Sequence, residues 1–279
     1  VRPTVRSRRL GARLAGHRVY AGLSGTEVAA RIGIHQATWS KIESGKTKLS
    51  PAVLVRAVEV LGIAGDAAGQ LELLRRKADE PGWWQNYGDI LSEAVQMLME
   101  LEADASWIRV YDGTLVHGLL QTREYAERVI TAGSPHMRVA DIDRYLDLRM
   151  RRQKRLNDGM RLTAVLGEGA IRQQIGGGEV LREQLRHICQ VVSEQDVTVQ
   201  VVPFTADAHA ALGDSFGIIQ WPDETDPQDA VYVDGMTSWT VHENTGVVRS
   251  YLHAFGSVQG QALPPRESLD LIRDVIKDL

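Results

Sequence analysis

Residues 23–48, LSGTEVAARIGIHQATWSKIESGKTK, limit what this chain can fold into more than any other stretch. Ser24 followed three positions later by Glu27 makes a capping-box pair, so a helix is predicted to start at Ser24 with Val28, Ala29 and Ile32 on its buried side. Gly33 supplies the positive φ that a sharp helix stop needs, and small Ala29 lets a second helix cross closely. That second helix is predicted over Gln36–Glu43, burying Trp39 and Ile42 and stopping before Gly45. Gln36, Ala37, Ser40 and Lys41 are left facing outward, with Thr38 near the backbone.

Two short helices crossed by a tight turn are the geometry of a helix-turn-helix, which lays its second helix in the DNA major groove. An amide and a lysine can hydrogen-bond base edges or phosphates, while small residues allow close approach and can touch a thymine methyl. The segment resembles the Cro/CI-type (XRE) helix-turn-helix family, down to the GKTK after the second helix. That resemblance implies base reading by Gln36, Ala37 and Lys41, and backbone contacts from Ser24, His35, Thr38, Lys46 and Lys48. It also implies an internal ion pair between Arg18 and Glu43. Trp39 reads as core, since it shares a face with Ile42 and a buried indole is first a packing residue. His35 reads as a helix-start residue before a pH switch. Arg6, Arg8, Arg9 and Arg13 fit either a DNA-flanking role or the outer face of a first helix.

Charge singles out the same end. Residues 1–79 hold 14 Lys plus Arg against 6 Asp plus Glu, a balance of +8; the whole chain carries −4, so residues 80–279 carry −12. A basic module joined to an acidic one keeps an electrostatic footprint local. At 279 residues and 43% hydrophobic content the chain is long enough for two cores. The lone Cys189 excludes an internal disulfide framework and suits a reducing cytoplasm; no CxxC or Cys/His metal spacing occurs. No apolar run is long enough to span a bilayer, so a cytoplasmic protein is expected, with no membrane partner.

Ser50 and Pro51 begin a fourth helix with Val53, Leu54, Ala57, Val58 and Leu61 as its apolar stripe, ending at Gly62. A fifth, over Asp66–Asp79, would bury Leu71, Leu73 and Leu74. Glu80, Pro81 and Gly82 break it, which puts the domain boundary between 79 and 80. The expected fold is a mainly α, five-helix Cro/CI-like domain over 1–79, followed by a larger α+β domain over 80–279. In the latter, helices are predicted over 90–101, 122–132, 140–156, 179–192 and 266–279, and strands over 162–166, 197–204, 216–221, 231–233 and 238–242. Alternation of Val197, Val199 and Val201 with Thr198 and Gln200 predicts one buried and one wetter face. Arg144, Arg149, Arg151, Arg152 and Arg155 read as a solvated face paired with Asp141, Asp143 and Asp147.

Catalytic and cofactor motifs find no support. Gly176, Gly177 and Gly178 precede a helix, but GxxxxGK[ST] and GxGxxG are missing and Glu179 stands where an anion would bind. His209 with Asp207 and Ser215 lacks a GxSxG elbow, and Cys189 reads as a buried thiol. No enzyme activity, cofactor or metal is expected.

The strings GWWQNYGDIL, GLLQTREYAERVI, LRMRRQ, VTVQVVPF and ALGDSFGIIQWP resemble the sensor-like domain of actinobacterial XRE regulators of the WhiJ and Scr-antitoxin type. This resemblance implies a small partner protein encoded beside the regulator. Candidate ligand or partner contacts are Trp83, Trp84 and Tyr87 near the junction and His209 and Phe216 in the segment 204–216, with core packing the competing reading for the tryptophans and a satisfied loop histidine for His209. Three readings follow: a repressor acting as a homodimer on double-stranded DNA whose second domain binds a partner protein; a regulator whose second domain senses a small molecule; and an enzyme with a DNA-binding appendage, which a pocket of perturbed titratable groups would favour.

Overall fold

The computed structural model describes residues 3–134, 137–221, 229–235 and 239–279. It divides into two units, Val1–Gln85 and Asn86–Leu279. The expected boundary after Asp79 thus moves to Gln85. The reason is local: the Trp84 ring folds back over Gly82, where a Cβ would stand 2.1 Å from it, and lies 5.9 Å from the Arg6 guanidinium.

The first unit is five helices: α1 (Val5–Tyr20), α2 (Gly25–Ile32), α3 (Gln36–Glu43), α4 (Pro51–Val60) and α5 (Asp66–Asp79). The caps are those the residues dictate. Ser24 closes the full capping box with Glu27, Gly33 ends α2 at φ 73°, and Ser50 caps α4 with Pro51 at its first turn. One core gathers Leu10, Leu14, Val28, Ile32, Trp39, Ile42, Leu54 and Leu71 among others. On α5, Leu71 is buried and Leu74 packs at the edge, but Leu73 is 55% exposed. A two-residue step carries Leu73 about 200° around the helix from Leu71, so only the i, i+3 pair shares the core.

Two glycines set how closely α1 meets the end of α3. A Cβ at Gly11 would lie 2.3 Å from the Glu43 carbonyl oxygen, and one at Gly45, where φ is 69°, would lie 2.6 Å from the Arg8 nitrogen. The Ser7 hydroxyl uses this proximity to donate to the Gly45 carbonyl at 2.9 Å.

The second unit runs α6 (Glu93–Ala103), β1 (Trp107–Asp112), α7 (Arg123–Gly133), α8 (Val139–Asn157), β2 (Arg161–Gly167), α9 (Glu168–Arg172), α10 (Gly178–Glu194), β3 (Val197–Val202), β4 (Phe216–Gln220), β5 (Ala230–Asp234), β6 (Trp239–His242), α11 (Thr245–Gln261) and α12 (Pro265–Asp278). Its sheet has the order β3-β2-β1-β4-β5-β6. The β1, β2 and β3 strands are parallel, and β4, β5 and β6 continue antiparallel from β1. Under α11 lie Tyr111, Val165, Phe216, Ile218 and Val231, packed with Phe255 and Val258. The expected combination of a helical helix-turn-helix unit and a larger α+β unit is therefore observed. Among the described residues no helix is long and apolar enough to cross a membrane.

Departures from expectation have local causes. The 90–101 helix starts at Glu93 because the Ser92 hydroxyl accepts from the Val95 N–H. Strand 197–204 stops at Val202 since Pro203 has no N–H to donate. Gln200 is not wet: it is 8% exposed, its amide donating to the Leu263 carbonyl and its oxygen accepting from Gln259. The central strand β1 and the helices α9 and α11 were not anticipated, and Ser238 lies outside the described residues.

The close approach at Gly11 generates a test. Gly11→Ala should destabilise the protein by about 1–3 kcal/mol, since a backbone carbonyl cannot swing aside as a side chain can. Urea unfolding of the full chain measures it, and an unchanged midpoint would contradict the packing described.

Candidate nucleic-acid interface and a buried polar recess

Recognition geometry begins with what α3 hides. Trp39 is 0% and Ile42 4% exposed. With that face fixed, Gln36, Ala37, Ser40 and Lys41 are all exposed and Thr38 is half-buried. The helix is held from α1 by Arg18, whose Nε donates to Glu43 at 2.6 Å while Nη1 donates to the Leu23 carbonyl at 3.0 Å. One guanidinium thereby ties α1 to the loop before α2 and to the last residue of α3. This is the ion pair the family resemblance implied.

The expected backbone-contacting residues sit in different circumstances. His35 N-caps α3 without a side-chain hydrogen bond and is exposed. Lys41 and Lys46 are exposed with no acidic partner among the described residues, whereas Lys48 lies 3.4 Å from Asp79. The Ser24 hydroxyl is occupied, accepting from the Glu27 N–H and donating to its carboxylate. Hydrogen bonds from the Ser24 backbone and hydroxyl hold the Glu27 carboxyl below its usual range.

The candidate ligand or partner residues are divided between the units, Trp83 and Trp84 in the first and Tyr87, His209 and Phe216 in the second. Trp84 is buried beside Trp83, at 5.9 Å between rings, within the first unit. Tyr87 lies under the Arg144 guanidinium. The His209 Nδ1 accepts from the Ala211 N–H at 3.3 Å and its Nε2 stands 3.4 Å from the Tyr111 hydroxyl, so both ring nitrogens are engaged. Phe216 is buried against Tyr251 and borders a different feature, a polar recess that was not anticipated.

That recess opens beyond the carboxyl end of β1, with Asp112, His117, Arg149, Arg152, Tyr232 and Trp239 among its walls. Its construction corrects the reading of the α8 arginines as a solvated face. Arg152 is buried and bound through two hydrogen bonds, of 2.7 and 2.8 Å, to buried Glu102. Arg149 points its Nη1 at the Gln121 Oε1 at 2.5 Å. The cause is helical phase: Arg152 falls midway between Leu148 and Leu156, four residues from each, and all three are buried. The GLLQT string makes the opposite wall. Gln121 donates to the Val116 carbonyl, and Gln153 and Gln184 donate to the backbone of residues 118–121.

Tyr232 reaches the recess by lying across Gly217, where a Cβ would stand 2.2 Å from the ring. Its hydroxyl is 3.0 Å from the His117 Nε2. Among the described residues the His117 Nδ1 has no hydrogen-bond partner, and it lies 3.7 Å from the Asp112 Oδ2, too far for a hydrogen bond. Burial, then Asp234, raises the Asp112 carboxyl to about 7, while a hydrogen bond from Ser215 acts against this. Burial, then Arg152 and Arg149, lowers His117 to about 3. Burial and Arg152 bring Arg149 down to about 10.

The first two shifts have opposite consequences for stability. Asp112 keeps a proton that the unfolded chain gives up, so its stabilising effect is complete below its ordinary value of 3.8 and lost as pH rises to about 7. His117 refuses a proton that the unfolded chain takes, so its effect is complete above 6.5 and lost as pH falls to about 3. Between these limits the slopes cancel. Asp112→Asn should therefore make stability fall on acidification below the ordinary histidine value, by up to ~1.4 kcal/mol per pH unit relative to the parent. Denaturant titrations across that window would show it, and parallel curves for the two proteins would refute it.

Comparison with known families places both units. The profile of a helix-turn-helix domain matches residues 9–78, which marks the first unit as that of a DNA-binding regulator. That of a domain of unknown function, DUF5753, matches residues 95–274. No curated protein matches the chain. The chain belongs to the DUF5753 family, with a helix-turn-helix domain preceding the domain that defines it.

Proposed function

We propose that this protein is a cytoplasmic, sequence-specific transcription regulator, a repressor that binds double-stranded DNA as a homodimer through α3, with a larger domain that binds a small partner protein in an antitoxin-like arrangement. The observation that carries the DNA-binding part is the exposure of Gln36, Ala37, Ser40 and Lys41 on a helix whose other face is pinned by buried Trp39 and Ile42. Gln36 suits a bidentate contact to adenine, Lys41 suits guanine or a phosphate, and Ala37 suits a thymine methyl. The +8 balance of residues 1–79 supplies the sequence-independent attraction. A dimer follows from specificity, because one eight-residue helix touches too few base pairs. Likeness to the WhiJ and Scr-antitoxin type supports the partner protein.

The recess favours a second reading, in which the larger domain takes up a small molecule. We read the cluster as a binding site and not as catalytic machinery. Its titratable groups are perturbed as in many active sites, but the imidazole of His117 meets the buried phenol of Tyr232, and Ser215 bonds to Asp112. The Ser215 hydroxyl meets a base candidate in Asp112, but that carboxyl keeps its proton up to about 7 and does not activate the hydroxyl below that.

Gel shifts on genomic fragments retained by the full chain test the main reading. Gln36→Ala should weaken binding to the preferred fragment by ~1–3 kcal/mol and relax its sequence preference. Lys46→Ala should weaken all fragments alike and lower the salt dependence by about one phosphate contact. Unchanged shifts for Gln36→Ala would count against base reading by α3.

A further inference from the structure

We infer that the recess of the second unit is a binding site for a small hydroxy- or amino-carboxylate, whose carboxylate is gripped by Arg149 and whose hydroxyl or amino group is met by His117 and Asp112. This deepens the second reading above, and rests on it.

Arg149 stands apart on its own helix. Arg144 is paired with Asp89, Arg152 with Glu102 and Arg155 with Asp158. Arg149, by contrast, has the neutral Gln121 oxygen and, among the described residues, no carboxylate within ion-pair distance. A guanidinium carries five donors in a planar fork that fits a carboxylate bidentately. It lies along the recess wall, for a Cβ on Gly118 would be 3.8 Å from its Nε and 3.9 Å from the Arg152 Nη1. A largely buried cation that has only a neutral partner at hydrogen-bond distance is costly to keep, and an anion arriving from outside supplies a charged one.

The other end of the ligand is set by an unsatisfied group. The His117 Nδ1 is buried without a partner among the described residues, and the Asp112 carboxyl 3.7 Å away does not fill the role. A hydroxyl or amino group placed beside both can donate to one and accept from or donate to the other. Between the ends, Val116, Val129 and Trp239 offer apolar surface. The inner space is about 70 Å³. It shares Val129, Arg149, Arg152, Asp234 and Trp239 with an adjoining recess of about 420 Å³, so a short carboxylate fits inside and a longer tail has somewhere to run.

Charge selects a monoanion. Arg152 is committed to Glu102, which leaves Arg149 as the guanidinium of this wall without a carboxylate at ion-pair distance, and Asp234 faces the same space. A phosphate dianion would meet more repulsion than attraction there. The location also agrees with general experience of open sheets, since it lies at the carboxyl end of β1, where parallel pairing with β2 gives way to antiparallel pairing with β4.

The test is thermal melting and calorimetry of the full chain with L-lactate, L-serine and L-threonine at millimolar concentration, beside lactamide and inorganic phosphate. At least one carboxylate should raise the melting temperature and bind once per chain, while lactamide and phosphate do not. Arg149→Lys, which keeps the charge but loses the fork, should weaken binding about tenfold, and Arg149→Gln should abolish it. Gly118→Val leaves the arginine in place and narrows the recess, and should weaken binding as well if Arg149→Gln fails to fold by circular dichroism. The inference is overturned if no carboxylate binds, if phosphate binds equally well, or if binding survives in both Arg149→Lys and Gly118→Val. No DNA enters these assays, so their failure leaves α3 untouched, while unchanged gel shifts for Gln36→Ala leave the recess untouched.

Discussion

An eight-residue helix has no stability of its own in water, so α3 exists as a presentable surface only because its inner face is fixed. Burial of Trp39 and Ile42 is that fixing interaction. The rest of the first unit follows from it. Gly11 must lack a side chain so that α1 can lie against the Glu43 carbonyl, Gly33 must be left-handed so that α2 can end in time, and Arg18 must reach across to Glu43. Each of these residues is spent on holding the helix, which is why the outward residues can be spent on a partner.

The second unit shows the same division between holding and offering. Arg152 and Glu102 neutralise each other in a buried pair, and the glutamines at 121, 153 and 184 satisfy the turn after β1. Gly217 removes the side chain that would block Tyr232. Against this settled frame, and among the described residues, the Arg149 guanidinium has a neutral partner in Gln121 and no carboxylate at ion-pair distance, and the His117 Nδ1 has no hydrogen-bond partner. Buried polar groups in folded proteins are nearly always satisfied, so an orphaned imidazole nitrogen beside a guanidinium without a carboxylate at ion-pair distance points to something the chain does not itself contain.

Much of the first unit was legible because its signals are local. Ser24 with Glu27, Gly33, and Ser50 with Pro51 each act within four residues, and the helix bounds of α3 and α5 came out as expected. Leu73 failed because nearness in sequence was taken for a shared face. The second unit was harder for a physical reason. Its central strand, WIRVYD, carries Arg109 in the middle and Asp112 at its end, and the α11 sequence is interrupted by Gly246, Gly256 and Gly260, so neither shows a clean period. The recess was invisible because its members come from β1, α8 and β5 and meet only through tertiary packing. One clue was present: Arg152 sits in the apolar row of Leu148 and Leu156, where a solvated arginine has no place.

Regulation by this protein requires that the outward face of α3 read a duplex. Selection of a random-sequence double-stranded library by the full chain at moderate salt decides it most directly. Enrichment of a two-fold symmetric motif, its half-sites about one helical turn apart, is the predicted result. Recovery of no motif, with retention that merely follows ionic strength, would contradict it.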